Sequence, residues 1–138
     1  MNLASYVKEA RATAMLACMD AGGYSKILFY PDTQPSTPGG TFSGTLIATL
    51  NLDNPAGTVA TVTGVTKTTL TASVPCQAVS ADTIRWARIV DHSGTWIADF
   101  KVRLATDSDA SSAEIIIDIA TVYVGAFINL VSAVITEG

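Results

Sequence analysis

Residues 83–103 read TIRWARIVDHSGTWIADFKVR, two alternating arms on either side of Asp91-His92-Ser93-Gly94. In the first arm Ile84, Trp86, Arg88 and Val90 fall on one face; in the second, Trp96, Ala98, Phe100 and Val102 do the same. A period of two marks strands whose two faces meet different surroundings. Asp and Ser form turns readily, and Gly94 stands where a hairpin connection needs positive φ. The stretch is predicted to be a β-hairpin, with Trp86 and Trp96 opposing each other as core residues or as a cross-strand pair.

Outward from this hairpin, strand signals continue in both directions. Residues 105–113 read as a polar loop, residues 114–119 as a strand, and residues 121–136 as a last β region kinked at Gly125. On the other side lies a threonine-rich field, with strands predicted at residues 58–63 and 68–74 joined through Gly64 and Lys67. Thr suits a half-wet pleated surface, because its branched carbon packs while its hydroxyl stays solvated. Residues 45–52 alternate again, Leu46, Ala48, Leu50 and Leu52 against Thr45, Ile47, Thr49 and Asn51, before the turn Asp53-Asn54-Pro55. Residues 31–44 hold Pro31, Pro35, Pro38, Gly39, Gly40 and Gly44 and read as an irregular loop, which closes the apolar run Lys26-Ile-Leu-Phe-Tyr30.

Only the N-terminal stretch reads as helix. Residues 2–21 contain six alanines and no glycine or proline. Asn2 is the expected N-cap, and Leu3, Val7, Ala10, Ala14 and Ala17/Cys18 mark the expected buried face. Met15 and Met19 form an adjacent apolar stripe, and Gly22-Gly23 supplies the stop. Seven or eight short strands with closely spaced turn signals predict a mainly β fold, an antiparallel β-sandwich or open barrel with one N-terminal α-helix. Residues 1–138 are expected to form a single domain, with residues 1–23 the helix and its glycine stop and residues 24–138 the β part.

Composition narrows the function classes. Hydrophobic residues make up 49% and charged residues only 14%, against about 25% charged in an ordinary soluble domain. So few charges imply bare apolar surface, which marks a contact site; the alternative is a compact extracellular domain coated with Thr and Ser. The net charge is -4, and the eight basic residues are scattered, so no nucleic-acid partner is expected. The longest apolar region, residues 115–135, is broken by Asp118, Gly125 and Asn129, so no membrane span is expected. Lys8, Glu9 and Arg11 interrupt any secretory signal at the N-terminus, which points to a protein kept in the cytoplasm of its producer.

The groups that resemble chemistry fail on spacing. Asp91-His92-Ser93 has the residue types of a triad, but consecutive turn residues do not reach triad geometry, so His92 reads as a turn residue. Asp107-Ser108-Asp109-Ala110-Ser111, with Asp118 twelfth, resembles a calcium loop but has Ser112 where that loop requires glycine. Gly39-Gly40 and Gly44 lack the lysine and following helix of a phosphate loop. Cys18 reads as a small core residue, and Cys76 ends a strand. Arg85, Arg88, Lys101 and Arg103 read as a solvated face or as a patch for an acidic neighbour. No catalytic, metal-binding or cofactor-binding residue is expected, and the protein is read as a non-enzyme. Contacts to other subunits are expected from the 31–44 loop and from Met15 and Met19, and deletion of residues 33–42 is expected to leave a folded domain.

One further likeness covers nearly the whole chain. It runs through the Ala-rich helix stopping at Gly22-Gly23, Lys26-Ile-Leu-Phe-Tyr30, the Pro/Thr loop, Leu46-Ile-Ala-Thr-Leu50, Trp86-Ala-Arg-Ile-Val-Asp-His-Ser-Gly94 and the end Ile135-Thr-Glu-Gly138. This order resembles a family of small tailed-bacteriophage and prophage proteins encoded among virion structural genes. The chain departs from it in the bulky Ile115-Ile-Ile117 and Phe127-Ile128. The resemblance implies a virion component, a minor capsid or head-decoration protein that is assembled in the host cytoplasm. Its partners would be copies of itself and the major capsid protein or another virion protein. The alternative is an adhesion module on head or tail that binds host glycans. The resemblance transfers no site residue.

Overall fold

The computed structural model describes residues 2–137. Helix α1 (Ser5–Asp20) is followed by strands β1 (Lys26–Tyr30), β2 (Ala48–Asn51), β3 (Gly57–Val62) and β4 (Val65–Leu70). Two short strands, β5 (Cys76–Gln77) and β6 (Asp82–Thr83), precede β7 (Trp86–Val90) and β8 (Trp96–Leu104). A turn of 3-10 helix (Ala110–Ser112) leads to β9 (Ile115–Ile117), β10 (Thr121–Val122), β11 (Phe127–Ile128) and β12 (Leu130–Thr136). The main sheet has eight strands in the order β2-β1-β7-β8-β9-β12-β4-β3 and curls into an open half-barrel. The pairs β6–β10 and β5–β11 form two small sheets beside it. The expected class, mainly β with one N-terminal helix, is the one observed.

The hairpin at residues 83–103 forms as read: β7 and β8 pair antiparallel across the Asp91–Gly94 turn. The tryptophans do not face each other, because Trp86 lies opposite Lys101 and Trp96 opposite Val90. The register shifts between Ile89 and Val90, leaving Ile97 as an extra residue. Such a bulge turns the rest of the strand over, so Trp96 comes to the face of Asp99 and Lys101 rather than that of Ala98 and Phe100. β8 and β9 pair in parallel, Val102 with Ile115 through Leu104 with Ile117.

In the threonine field the turn is tighter than expected. Val62 pairs with Val65, so only Thr63 and Gly64 connect the strands. Both are left-handed, at φ 52° and 77°, the conformation that fits the twist of a two-residue hairpin. Thr66, Thr68 and Leu70 turn inward, and Thr66 Oγ1 shares a 2.7 Å hydrogen bond with Thr61 Oγ1.

Helix α1 lies along β3 and β4. It begins after Ala4, with no side-chain cap from Asn2, and it buries Ala12, Leu16 and Met19. The expected face is thus corrected: Ala10, Ala14, Ala17 and Cys18 are exposed, and Cys18 is not a core residue. Burying Leu and Met removes more apolar area from water than burying Ala, so the larger stripe faces the sheet. The Gly22-Gly23 stop holds: both residues adopt positive φ, 79° and 157°, which favours glycine, and the exposed His92 side chain packs close against them. A Cβ on Gly22 would sit 2.5 Å from the His92 ring, and one on Gly23 would sit 3.1 Å from the His92 Cβ.

The main core fills the concave side of the sheet with Ile27, Phe29, Leu50, Ile89, Val102, Ile115 and Ile117, closed by Leu16 and Met19 of the helix. Trp86 and Tyr30 are buried but stand outside this cluster, on the opposite face of β1 and β7.

The two outer strands of the sheet end differently. Beside β2, Val79 N–H donates to Ile47 C=O at 2.7 Å, so the chain around residues 78–79 covers that edge. Beside β3 no strand of the sheet follows.

Candidate functional site

The 31–44 loop folds back over β7 and β8 and is clasped there by charged and aromatic side chains. Arg88 projects from the centre of β7 and meets Asp99 directly across the hairpin. Its Nε donates to Asp99 Oδ1 at 2.7 Å and its Nη2 to Asp99 Oδ2 at 2.9 Å, the two-point geometry that suits a guanidinium and a carboxylate. Nη2 also donates to Gly40 C=O at 3.1 Å, which ties the loop to the pair. The two side chains are only 14% and 7% exposed. The hydrogen bonds from Arg88 to Asp99 raise the pKa of the guanidinium further, against the opposing effect of desolvation.

Beneath the loop, Phe42 packs edge-on against Tyr30 (4.5 Å between centroids) and Trp86 (5.0 Å), and Tyr30 stacks on Trp86 at 4.9 Å. The Arg88 guanidinium lies 5.0 Å from the Phe42 centroid, within cation–π range. Burial under this cover pushes the Tyr30 hydroxyl pKa up. Asp32 fastens the start of the loop, accepting from Trp86 Nε1 at 2.7 Å and from Gly44 N–H at 2.9 Å. Gly44 has no room for a side chain, because a Cβ there would collide with the Asp32 carboxylate. Trp96 donates to Asp99 Oδ1 at 3.2 Å, and its ring lies against Gly39. The indole that an exposed sugar platform would require is thereby partly covered.

The basic group singled out in the sequence is divided. Arg88 belongs to the clasp. Arg103 Nε donates to both Asp109 oxygens at 3.0 Å, and Lys101 Nζ lies 3.6 Å from Asp109 Oδ2. The hydrogen bonds from Arg103 hold the Asp109 carboxyl below its ordinary pKa. Three of the four cations thus meet carboxylates of their own chain, which leaves little of the expected patch for an acidic neighbour.

The other expected groups also fall into place. Asp91 Oδ1 accepts from Ser93 N–H, Ser93 Oγ and Thr95 N–H, so the Asp-His-Ser run is a side-chain-capped turn. These bonds, that from Ser93 Oγ first, lower the Asp91 pKa. Asp107 Oδ2 accepts from Leu104 N–H, and Asp118 binds the Asn129 N–H and side-chain amide, so the carboxylates of the calcium-like run do not converge. Among the described residues no group of three His, Cys, Asp or Glu side chains is placed to hold a metal ion. Cys18 and Cys76 are both free, and burial pushes the Cys76 thiol up to about 11.

Sequence reading missed Asp32 and Phe42. A signal existed for Phe42, the lone aromatic in a Pro/Gly/Thr loop, and Arg88, a charge set among Ile84, Trp86 and Val90, signalled the need for a partner such as Asp99; none pointed to Asp32. A charge on an apolar face needs a partner.

A different surface remains open. Tyr123, Val124, Gly125 and Ala126 form a tight turn closed by Ala126 N–H to Tyr123 C=O at 2.9 Å, with Gly125 at φ 88°. Gly125 N–H donates to Ala78 C=O and Ala78 N–H to Ala126 C=O, which brings Val79 beside the turn. Tyr123 is 77% exposed, and Val79, Val124 and Phe127 are exposed with it. Turn tips are ordinarily polar, and this one is apolar. No helix among the described residues is long and apolar enough to cross a membrane. No protein-family model, curated protein or solved structure matches the chain.

Proposed function

We propose that this protein is a structural component of a tailed-phage virion, a minor capsid or decoration subunit that binds the head shell in several copies. The observation that carries this reading is the apolar turn at Tyr123 and Val124 with Val79 and Phe127 beside it, exposed apolar side chains that gain by being covered. The charged fraction of 14% supports it, as does the likeness in sequence order to virion structural proteins. The titratable groups of the clasp are occupied with one another, in keeping with a subunit that works by contact.

The test is the composition of particles purified from a strain carrying the gene. The wild-type protein is expected in many copies per particle. A folded Tyr123→Asp/Phe127→Asp variant is expected to be lost from particles. Retention of that variant at full occupancy would contradict the reading. Presence in particles together with binding to host surface polysaccharide would establish the adhesion alternative instead, and absence of the wild-type protein from particles would contradict both.

A further inference from the structure

Strand β3 ends the main sheet on one side, and nothing in its composition guards that edge. Natural edge strands carry charges, prolines or bulges that prevent pairing with another chain. β3 reads GTVATV, with no charge and no proline, and its register with β4 is unbroken from Gly57 to Val62.

The hydrogen-bonding phase of this edge follows from the pairing. Thr71 N–H donates to Ala56 C=O at 2.9 Å, one step before the Gly57–Leu70 pair. Antiparallel pairs alternate between hydrogen-bonded and non-hydrogen-bonded sites. Thr58, Ala60 and Val62 therefore bond inward to β4, while the backbone groups of Gly57, Val59 and Thr61 point out from the sheet.

We infer that β3 is a dimerisation edge, at which two copies of this chain pair antiparallel about a twofold axis at Ala60. The proposal names the partner for the multi-copy role proposed above and rests on that reading only in taking the protein to act in several copies. Centred on Ala60, the register sets Val59 opposite Thr61 of the second copy, both with outward backbone groups, so the two Val59–Thr61 pairs bond reciprocally. Ala60 meets Ala60 at a non-hydrogen-bonded site, where the chains come closest, at about 4.5 Å between Cα atoms; the smallest side chain of the strand occupies that position. Thr58 meets Val62, and each face stays in phase with itself. No charge opposes a like charge. Lys67, which pairs with Ala60 within one chain, would lie three strand spacings, about 14 Å, from its counterpart, beyond the screening length of about 8 Å.

A second feature lies on the same side. Arg11 reaches Glu137 after β12, whereas Asp20 Oδ1 accepts from Ala56 N–H at the start of β3, so these two residues mark opposite flanks of α1. On the Asp20 flank, Tyr6, Ala10, Thr13 and Ala17 are exposed and uncharged, at the four-three-four spacing of a helix-pairing seam. Since α1 lies over β3 and β4, pairing the two edges places the two helices about two strand spacings apart, roughly 10 Å. That is the ordinary distance between packed helices.

Sedimentation of the full chain tests the proposal. Wild type is expected to dimerise reversibly, and Ala60→Lys, at an exposed position, to weaken the dimer about tenfold or more while leaving the circular dichroism unchanged. In a Cys18→Ser background, Ala60→Cys is expected to cross-link to itself under mild oxidation, since about 4.5 Å falls within disulfide reach. Val62→Cys, whose two copies would lie several residues apart along the ladder, is expected not to. A wild type that stays monomeric at its solubility limit would overturn the proposal, and so would a dimer indifferent to Ala60→Lys or one that fails to cross-link at position 60. These results come from purified protein alone, so they stand apart from whether the chain is found in virions.

Discussion

The hairpins β7–β8 and β3–β4 are both regular antiparallel pairs, yet their outer surfaces are finished in opposite ways. On β7–β8, Trp86 and Arg88 point away from the main core, and the Trp86 ring would be costly to leave in the open. A loop from a distant part of the chain covers them, so that Trp86 is 1% exposed. On β3–β4 the outward side chains are Thr58, Ala60, Val62, Val65, Lys67 and Thr69, and Val62 is 71% exposed with no segment over it. The difference shows where a chain with few charges places its polar chemistry. Asp32, Arg88 and Asp99 seal one hairpin internally, and the other is left neutral and available.

The largest effect should come from opening the clasp. Deleting residues 33–42 removes Phe42 and the Gly40 carbonyl, and it uncovers Trp86 and Tyr30. The sequence alone suggests that a surface loop can be spared. With its aromatic anchor visible, the deletion is expected to cost about 3–5 kcal/mol, the scale of losing a large buried aromatic contact, as measured by urea denaturation. An unchanged midpoint would mean that the loop merely rests on the hairpin. Arg88→Ala is expected to cost about 2 kcal/mol, since it leaves the largely buried Asp99 carboxylate without its partner. Making Asp99→Ala in the same background should then recover part of the loss, and a strictly additive pair would break the clasp interpretation.

The open hairpin offers a change of opposite sign. Thr68 Oγ1 is buried without a hydrogen-bond partner. Thr68→Val keeps the shape and removes the unsatisfied hydroxyl, so it is expected to stabilise by about 1 kcal/mol. A destabilised variant would show that the hydroxyl has a partner after all. The smallest effect is expected at His92. The ring packs on Gly22-Gly23 but is exposed, and His92→Ala should shift the unfolding free energy by no more than about 0.5 kcal/mol.

What was legible in the sequence follows the range of the interactions involved. The 83–103 hairpin and its Gly94 turn depend on neighbours a few residues apart, and they were read correctly. The helix was legible because propensity is local, but its buried face was not. Alanine is indifferent to burial, so only the sheet beneath decides between the alanine stripe and the Leu16–Met19 stripe. The clasp was hidden because Trp86 and Asp32 are 54 residues apart and Arg88 and Gly40 are 48 apart. The Ile97 bulge and the parallel β8–β9 pair were invisible because register across a sheet leaves no mark in either strand alone. Which strand lies outermost depends on strand order across the whole chain, and so the bare edge of β3 emerged only with the fold.

Amide hydrogen exchange followed across a range of protein concentrations tests the contrast between the hairpins most directly. Amides of β7 and of Gly44, held by Asp32, are expected to be protected equally at every concentration, because the clasp lies within one chain. Amides of Val59 and Thr61 are expected to exchange quickly in dilute protein and to become protected as concentration rises. Fast exchange at Gly44, or dimer formation that leaves the β3 amides unprotected, would contradict the division into a sealed hairpin and an open one.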